Sequence, residues 1–255
     1  MRKSTKSERG DMKNAMPFNF CDRHCDRCEE FKGRCRVYQE ESQFKLQCVM
    51  EGRDPADPKV IFEHVGKSMA STLEMLKKKM KDEGIEIKEE DMAEYEQQEI
   101  ERDEKINNHP LLEKCLDITE ELDEFLSTFQ ITLPDMQYVA SSVHREMKEL
   151  YFYVPLITAK TGRALFSKIE EEEDGEIDEE YSDSLISATL GYRSLKTVGE
   201  SLERVKQFIG SSEVVWTMRI NNLLSDIGKT RELYKKTFPG MENFSRKVIF
   251  HGRYD

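Results

Sequence analysis

Apolar residues recur along most of this chain at steps of three and four, the period of a helix that buries one face. The first such run is 36–50, where Val37, Phe44, Cys48 and Val49 fall at helical offsets. The segment GRDPADP (52–58) then breaks the pattern with Gly52 and two prolines. Asp57-Pro58 restarts it, an N-cap acid followed by proline at the first helical position. From there Val60, Ile61, Val65, Met69, Leu73, Leu76 and Met80 form a stripe that should end near Gly84. Residues 88–107 favour helix but are almost wholly charged or polar, so they predict an exposed helix or a mobile excursion.

The second half has stronger stripes. Leu111, Cys115, Ile118, Leu122, Phe125 and Phe129 mark a helix opened by Asn108-His109-Pro110 and closed before Leu133-Pro134. A helix over about 135–169 carries Val139, Val143, Met147, Leu150, Val154 and Ile157, and Pro155 should kink it. The acid run 170–180, with Gly175, reads as a turn. Two further helices are expected. One spans about 179–209, with Leu185, Ile186, Leu190, Leu195, Val198, Leu202, Val205 and Phe208; the other spans about 212–237, with Val214, Val215, Met218, Leu223, Leu224 and Ile227. The tail includes KVIF (247–250), which could pair as a short strand or simply pack. Together these predict an all-α bundle of about five to six helices with a small Cys-rich knob at its N-terminus. The expected divisions are a flexible basic lead (1–16), a Cys-rich segment with its following helix (17–50), a bundle (57–240) with a charged excursion (85–108), and a tail (241–255).

Composition narrows this picture. Of 255 residues, 35% are charged and 37% hydrophobic, so the core is lean for the length. Asp and Glu outnumber Lys and Arg by 51 to 39, which argues against a broad nucleic-acid-binding face. The acidity is local. Residues 85–108 hold ten acids and three bases, and residues 170–180 hold nine acids and no base. Such runs are solvated faces or docking surfaces for a basic partner. No stretch approaches the roughly 18 apolar residues of a membrane helix. The first twenty residues lack the apolar core of a secretory signal, so the expected location is cytoplasmic, where clustered thiols stay reduced.

That expectation gives weight to Cys21, Cys25, Cys28 and Cys35, spaced C-x3-C-x2-C-x6-C. Four thiols in a segment too short for its own core need a reason, and a metal supplies both the reason and folding energy. Structural four-cysteine zinc sites usually pair two C-x2-C knuckles. Here one C-x2-C is flanked by single cysteines, which suits a [4Fe-4S] cube, each iron corner taking one thiolate. Zinc is the alternative metal, and a disulfide or an incidental cluster the third reading. His24 could replace one cysteine in a zinc site. Arg23, Arg27, Arg34 and Arg36 could offset the ligand charge, and Phe18, Phe20 and Phe31 could exclude water. The triplet Cys21, Cys25 and Cys28 is similar to the cluster loop of the radical S-adenosylmethionine enzymes. That resemblance covers eight residues. Those enzymes carry the loop on a strand-rich α/β barrel, and this chain shows no alternation of strands and helices, so their chemistry is not carried over. Cys48 and Cys115 lie on apolar faces and read as small buried hydrophobes.

Catalytic motifs are scarce. A di-iron carboxylate bundle needs Glu-x-x-His, and no histidine has Glu three residues before it. Phosphate-loop, dinucleotide, nucleophile-elbow and H-E-x-x-H motifs are absent. The remaining candidate for binding an anionic cofactor or ligand is Lys160, Arg163 and Arg193, which could converge if their helices pack antiparallel, with Asp183 as the competing partner. Tyr151, Tyr153 and Tyr192 lie near them in sequence. The sequence therefore favours a cytoplasmic metal-cluster protein with a redox, sensing or structural role and a protein or redox partner. Its rival is a helical interaction scaffold with a zinc knob.

Overall fold

The computed structural model describes residues 20–29, 32–33, 35–85, 89–132, 137–174, 182–209, 213–246, 248 and 250–251. Among these are seven α-helices and no strand: α1 (Arg36–Met50), α2 (Pro58–Glu83), α3 (Glu89–Asn107), α4 (Pro110–Thr132), α5 (Gln137–Asp174), α6 (Asp183–Ile209) and α7 (Val214–Thr237). A two-turn 3-10 segment, Met241–Arg246, follows. The all-α expectation holds, with seven helices where five to six were expected. The highly charged 89–107 stretch is a complete helix too. The lead at 1–16 lies outside the described residues. No described helix is long and apolar enough to cross a membrane.

The chain divides into two compact units, one holding residues 25–100 and the other residues 20–24 and 101–251. In the second unit α4, α5, α6 and α7 form a closed ring of packed neighbours, with α5 against α6 the most extensive pair. Their connections are four, eight and four residues long. Connections this short make consecutive helices antiparallel, the up-down topology of a four-helix bundle. The core is the set of stripes read above: Leu111, Cys115, Leu122, Phe125 and Phe129 meet Val143, Leu150, Ile157, Leu195, Val198 and Leu202, all fully buried. Trp216 closes one end, edge-on to Phe125 and Phe129. The 3-10 segment and Val248 pack on Ile186 and Leu190 together with Phe20. That places the tail against α6 by packing; Lys247 and Ile249 lie outside the described residues.

Two boundaries and one buried face differ from the pattern-based ones. α5 continues to Asp174 instead of turning at 170, and Glu173 holds Arg102 through two guanidinium nitrogens. The opposite charge lets a run of acids remain helical. Residues 175–181 lie outside the described part. α6 begins at Asp183, because Glu171 accepts hydrogen bonds from the hydroxyls of Ser182 and Ser184 and from the Ser184 backbone N–H. These occupy a donor that a helix start would leave open. In α7 the buried face is Ile220, Leu223 and Ile227, while Val214, Val215 and Met218 are exposed.

In the first unit the helix signals are obeyed without comparable burial. The Asp57 side chain accepts from the Lys59 N–H at 2.9 Å, and Gly84 ends α2 at φ 67°, as the cap residues require. Only Val60 of the 26 residues in α2 is buried. Phe44 of α1 stacks on His64 at 4.2 Å, and Arg53 bonds Glu63, which tie the α1–α2 connection down.

Candidate functional site

The cysteine segment is built by local backbone bonds. The Cys28 N–H donates to the Cys25 carbonyl at 3.3 Å, which closes the C-x2-C pair into one turn. Lys32 Nζ donates to the Asp26 carbonyl (3.2 Å) and Gln39 Nε2 to the Gly33 carbonyl (2.9 Å), so side chains hold the loop where secondary structure does not. Cys35 stands immediately before α1 in an extended conformation, and its carbonyl accepts the first helical bond, from the Gln39 N–H. Cys25 and Cys28 are half-buried and Cys35 is buried. Lys45 lies within electrostatic reach of Cys25; its amine is raised, chiefly by the hydrogen bond to Glu41. These three belong to the first unit, while half-buried Cys21 belongs to the second. All six cysteines are free thiols. No group of three or more His, Cys, Asp or Glu among the described residues is gathered to hold a metal ion.

The expected supporting residues are placed in several ways. Arg36 pairs with Glu40 at 2.6 Å on the surface, and Arg23 is exposed at φ 60°. Phe20 packs into the second unit, against Ile186, Leu190, Phe244 and Val248. Phe18, Phe31 and Arg34 lie outside the described residues. His24 is buried and stacked on Phe152 with ring centroids 3.9 Å apart. Cys115 is fully buried. Its thiol is pushed up to about 11, first by burial, and it accepts a hydrogen bond from the Thr161 hydroxyl at 3.4 Å. Cys48 is buried in α1. Both match the small-hydrophobe reading.

The second unit holds a polar cluster that the sequence did not announce. Asp22 is 1% exposed, and its carboxylate accepts four hydrogen bonds. They come from the Tyr153 hydroxyl (2.9 Å), the His251 N–H (2.7 Å), His251 Nδ1 (2.8 Å) and the His24 N–H (3.2 Å). Burial by itself would raise this carboxyl, but the bonds from His251 and His24 outweigh it and hold the group below the usual carboxylate value. Phe250 lies over Tyr153, with centroids 5.1 Å apart, and carries the Arg193 guanidinium on its ring at 5.5 Å. Residues 22–24, the middle of α5 and the chain's tail are thus joined around one buried anion. Tyr153, His24 and Arg193 were marked in the sequence, but for other roles; Asp22 and His251, which make the centre, were not.

Lys160, Arg163 and Arg193 do lie on the packed pair α5 and α6, but each has a separate setting. Arg163 Nε bonds Asp183 at 2.7 Å, and the Ser167 hydroxyl donates to the same oxygen at 2.9 Å. Lys160 is half-buried. Burial lowers its amine, Arg23 lowers it further, and Cys21, Asp183 and Asp22 act in the opposite direction. Arg193 is committed to Phe250. The structure thus supplies Asp183 as Arg163's partner and gives Arg193 an aromatic one. Tyr192 accepts a hydrogen bond from Arg231 at 3.0 Å, and Tyr151 is exposed.

A cavity of about 790 Å³ opens between α5, α6 and α7. Its walls carry Glu146, Glu200 and Glu203 against Lys196, Arg204 and Arg231. Glu146 is 4% exposed, and burial raises its carboxyl, with Arg204 and Arg145 opposing. The walls named here are balanced in charge, three acids against three bases. Compared with known protein families, with curated proteins and with solved structures, the chain matches none.

Proposed function

We propose that this protein binds a metal centre through Cys21, Cys25, Cys28 and Cys35, with a [4Fe-4S] cluster as the centre the donor set favours. The observation that carries this reading is four free thiols within fifteen residues of chain, the middle two closed into one turn by a backbone hydrogen bond. Four residues of chain reach at most about 14 Å, so the Cys21–Cys25 step is short enough for both thiols to serve one centre. Thiolates are soft ligands, which restricts the choice to iron–sulfur chemistry, zinc or copper(I), and the single C-x2-C with flanking cysteines favours the cluster. When bound, the cluster supplies one-electron chemistry. The residues of the chain hold the thiols, through the Cys25–Cys28 turn and the Lys32 and Gln39 side chains. In this reading the protein is cytoplasmic and meets a redox partner, and the cluster transfers electrons, senses redox state or staples the segment.

The test is metal and sulfide analysis, with a visible spectrum, on full-length protein purified without oxygen. About four irons and four acid-labile sulfides per chain, and a broad absorption that bleaches on reduction, are the expected result. Changing Cys25 and Cys28 to Ser should remove both. Unchanged iron and absorbance in that double variant would refute the site.

A second reading is a helical interaction scaffold in which the same cysteines hold one zinc. The exposure of nearly all of α2, and of most described side chains of the acidic helix α3, supports it. One zinc per chain with a featureless visible spectrum would select this reading.

A further inference from the structure

The carboxylate of Asp22 is fully engaged. Its Oδ1 accepts from the His24 N–H and from His251 Nδ1, and its Oδ2 from the Tyr153 hydroxyl and the His251 N–H. A carboxylate offers about four acceptor positions, so this one keeps none for a metal or a ligand. What it does is hold chain. His251 takes both oxygens, one by its backbone and one by its ring, and Tyr153 ties them to the middle of α5. Arg23 follows at φ 60°, alone with a positive φ among the described non-glycine residues. His24 is then fixed by stacking on Phe152, ring centroids 3.9 Å apart. A non-glycine residue in the left-handed region is strained and persists only where its surroundings over-determine it. Here both neighbours are anchored.

Cys21 directly precedes Asp22, its Cα about 3.8 Å away, so fixing Asp22 fixes where this thiol starts from. We infer, on the metal reading above, that Asp22 is the positioning residue of the metal centre, pinning Cys21 to α5 and the tail so that its thiol is preorganised as a ligand. Residues 20–24 belong to the same compact unit as α5 and the tail, and Cys21 is half-buried there. Lys160, two turns beyond Tyr153 on the same face of α5, lies within electrostatic reach of Cys21. Cys25, Cys28 and Cys35 are supported by other residues: their own turn, Lys32, Gln39 and the start of α1. Side chains that orient a metal ligand without touching the metal are worth about 10–100-fold in metal affinity. Such coupling is reciprocal, so a metal that takes up Cys21 also tightens the hold of Asp22 on the tail.

The test uses the full-length chain, loaded without oxygen with ferrous iron and sulfide and, in parallel, with zinc. Its thiols are labelled with iodoacetamide and the adducts located by mass spectrometry. In the wild type the metal should protect all four cysteines. In His251→Leu, Cys21 should label about ten-fold faster while Cys25, Cys28 and Cys35 stay protected. His251→Asn, whose amide nitrogen can take the place of Nδ1, should recover most of the protection, a rescue that a merely space-filling role would not give. The helical circular dichroism should be the same in all three proteins. Should His251→Leu lose structure, the wild type alone still decides: hydrogen exchange at the His251 N–H should slow several-fold on loading. If Cys21 labels equally fast with and without metal, the inference falls and a centre on the other three thiols stands. If Cys21 stays protected in His251→Leu, or the His251 N–H is indifferent to loading, the four-thiol centre stands and Asp22 does not position it. A chain that takes up neither metal overturns the metal reading and this inference with it.

Discussion

The helices α2 and α6 are almost equal in length, 26 and 27 residues, and both carry an apolar stripe at helical spacing. Their burial differs completely. α6 buries sixteen residues, among them Leu195, Val198 and Leu202, whereas α2 buries one. Amphipathic patterning therefore states that a helix has a face to bury. It does not state whether the partner is in the same chain. In the second unit short connections bring α4–α7 into a ring where each stripe finds another. In the first, among the described residues, no helix packs along the stripe of α2 as the bundle helices pack on one another.

The sharpest break of this contrast is in the bundle core. Phe125→Ala, at a side chain with no exposure and two aromatic neighbours, should cost about 3–5 kcal/mol in urea unfolding. Next in size is Asp22→Ala. It removes the buried carboxylate that accepts from the Tyr153 hydroxyl and from His251, and a loss of about 2–4 kcal/mol is expected, with earlier loss of the tail's protection in hydrogen exchange. Third is Gly191→Ala. A Cβ there would collide with the Tyr234 hydroxyl and press on Lys160 Cβ at 3.4 Å, which should cost about 1–3 kcal/mol by the same measurement.

Glu146 gives a smaller and pH-dependent effect. Its folded-state carboxyl lies above the unfolded value because burial disfavours the charge. The group's contribution is therefore fully present below the unfolded value and is lost as pH rises through the folded one. Glu146→Gln should remove that loss, so the variant should gain on the wild type at pH 7 relative to pH 4, by under about 1 kcal/mol. Smallest of all is Leu73→Ala in α2. It should shift unfolding by no more than about 0.5 kcal/mol, the usual size for a surface change. A core-sized loss would mean that α2 is covered within one chain, and the contrast between the two units would fail.

The helices themselves were legible in the residues. Asp57-Pro58 and Gly84 bracket α2 within a residue of where it begins and ends, and the bundle stripes are its core. These signals are local: capping, backbone preference and 3.6-residue periodicity act over one or two turns, so a single sequence displays them. The end of α5 was misread because an acid run reads as solvated connector until Arg102, 71 residues away, provides a counter-charge. The first turn of α7 was misread because Val214, Val215 and Met218 are as apolar as a core needs, yet face water.

What the sequence determined by itself is therefore the helical class, the helix limits set by caps, and the gathering of four thiols within fifteen residues. Only tertiary structure decided that Asp22 would be a buried anion shared by Tyr153 and His251, partners 131 and 229 residues away. It alone set Thr161 against Tyr234 beneath a glycine, and gave Arg163 to Asp183. Hydrogen bonds between distant residues leave no periodic trace, because their geometry exists only once the packing of apolar faces has brought the helices together. The same limit explains α2, whose apolar face the sequence wrote in full although only Val60 of it is buried among the described residues.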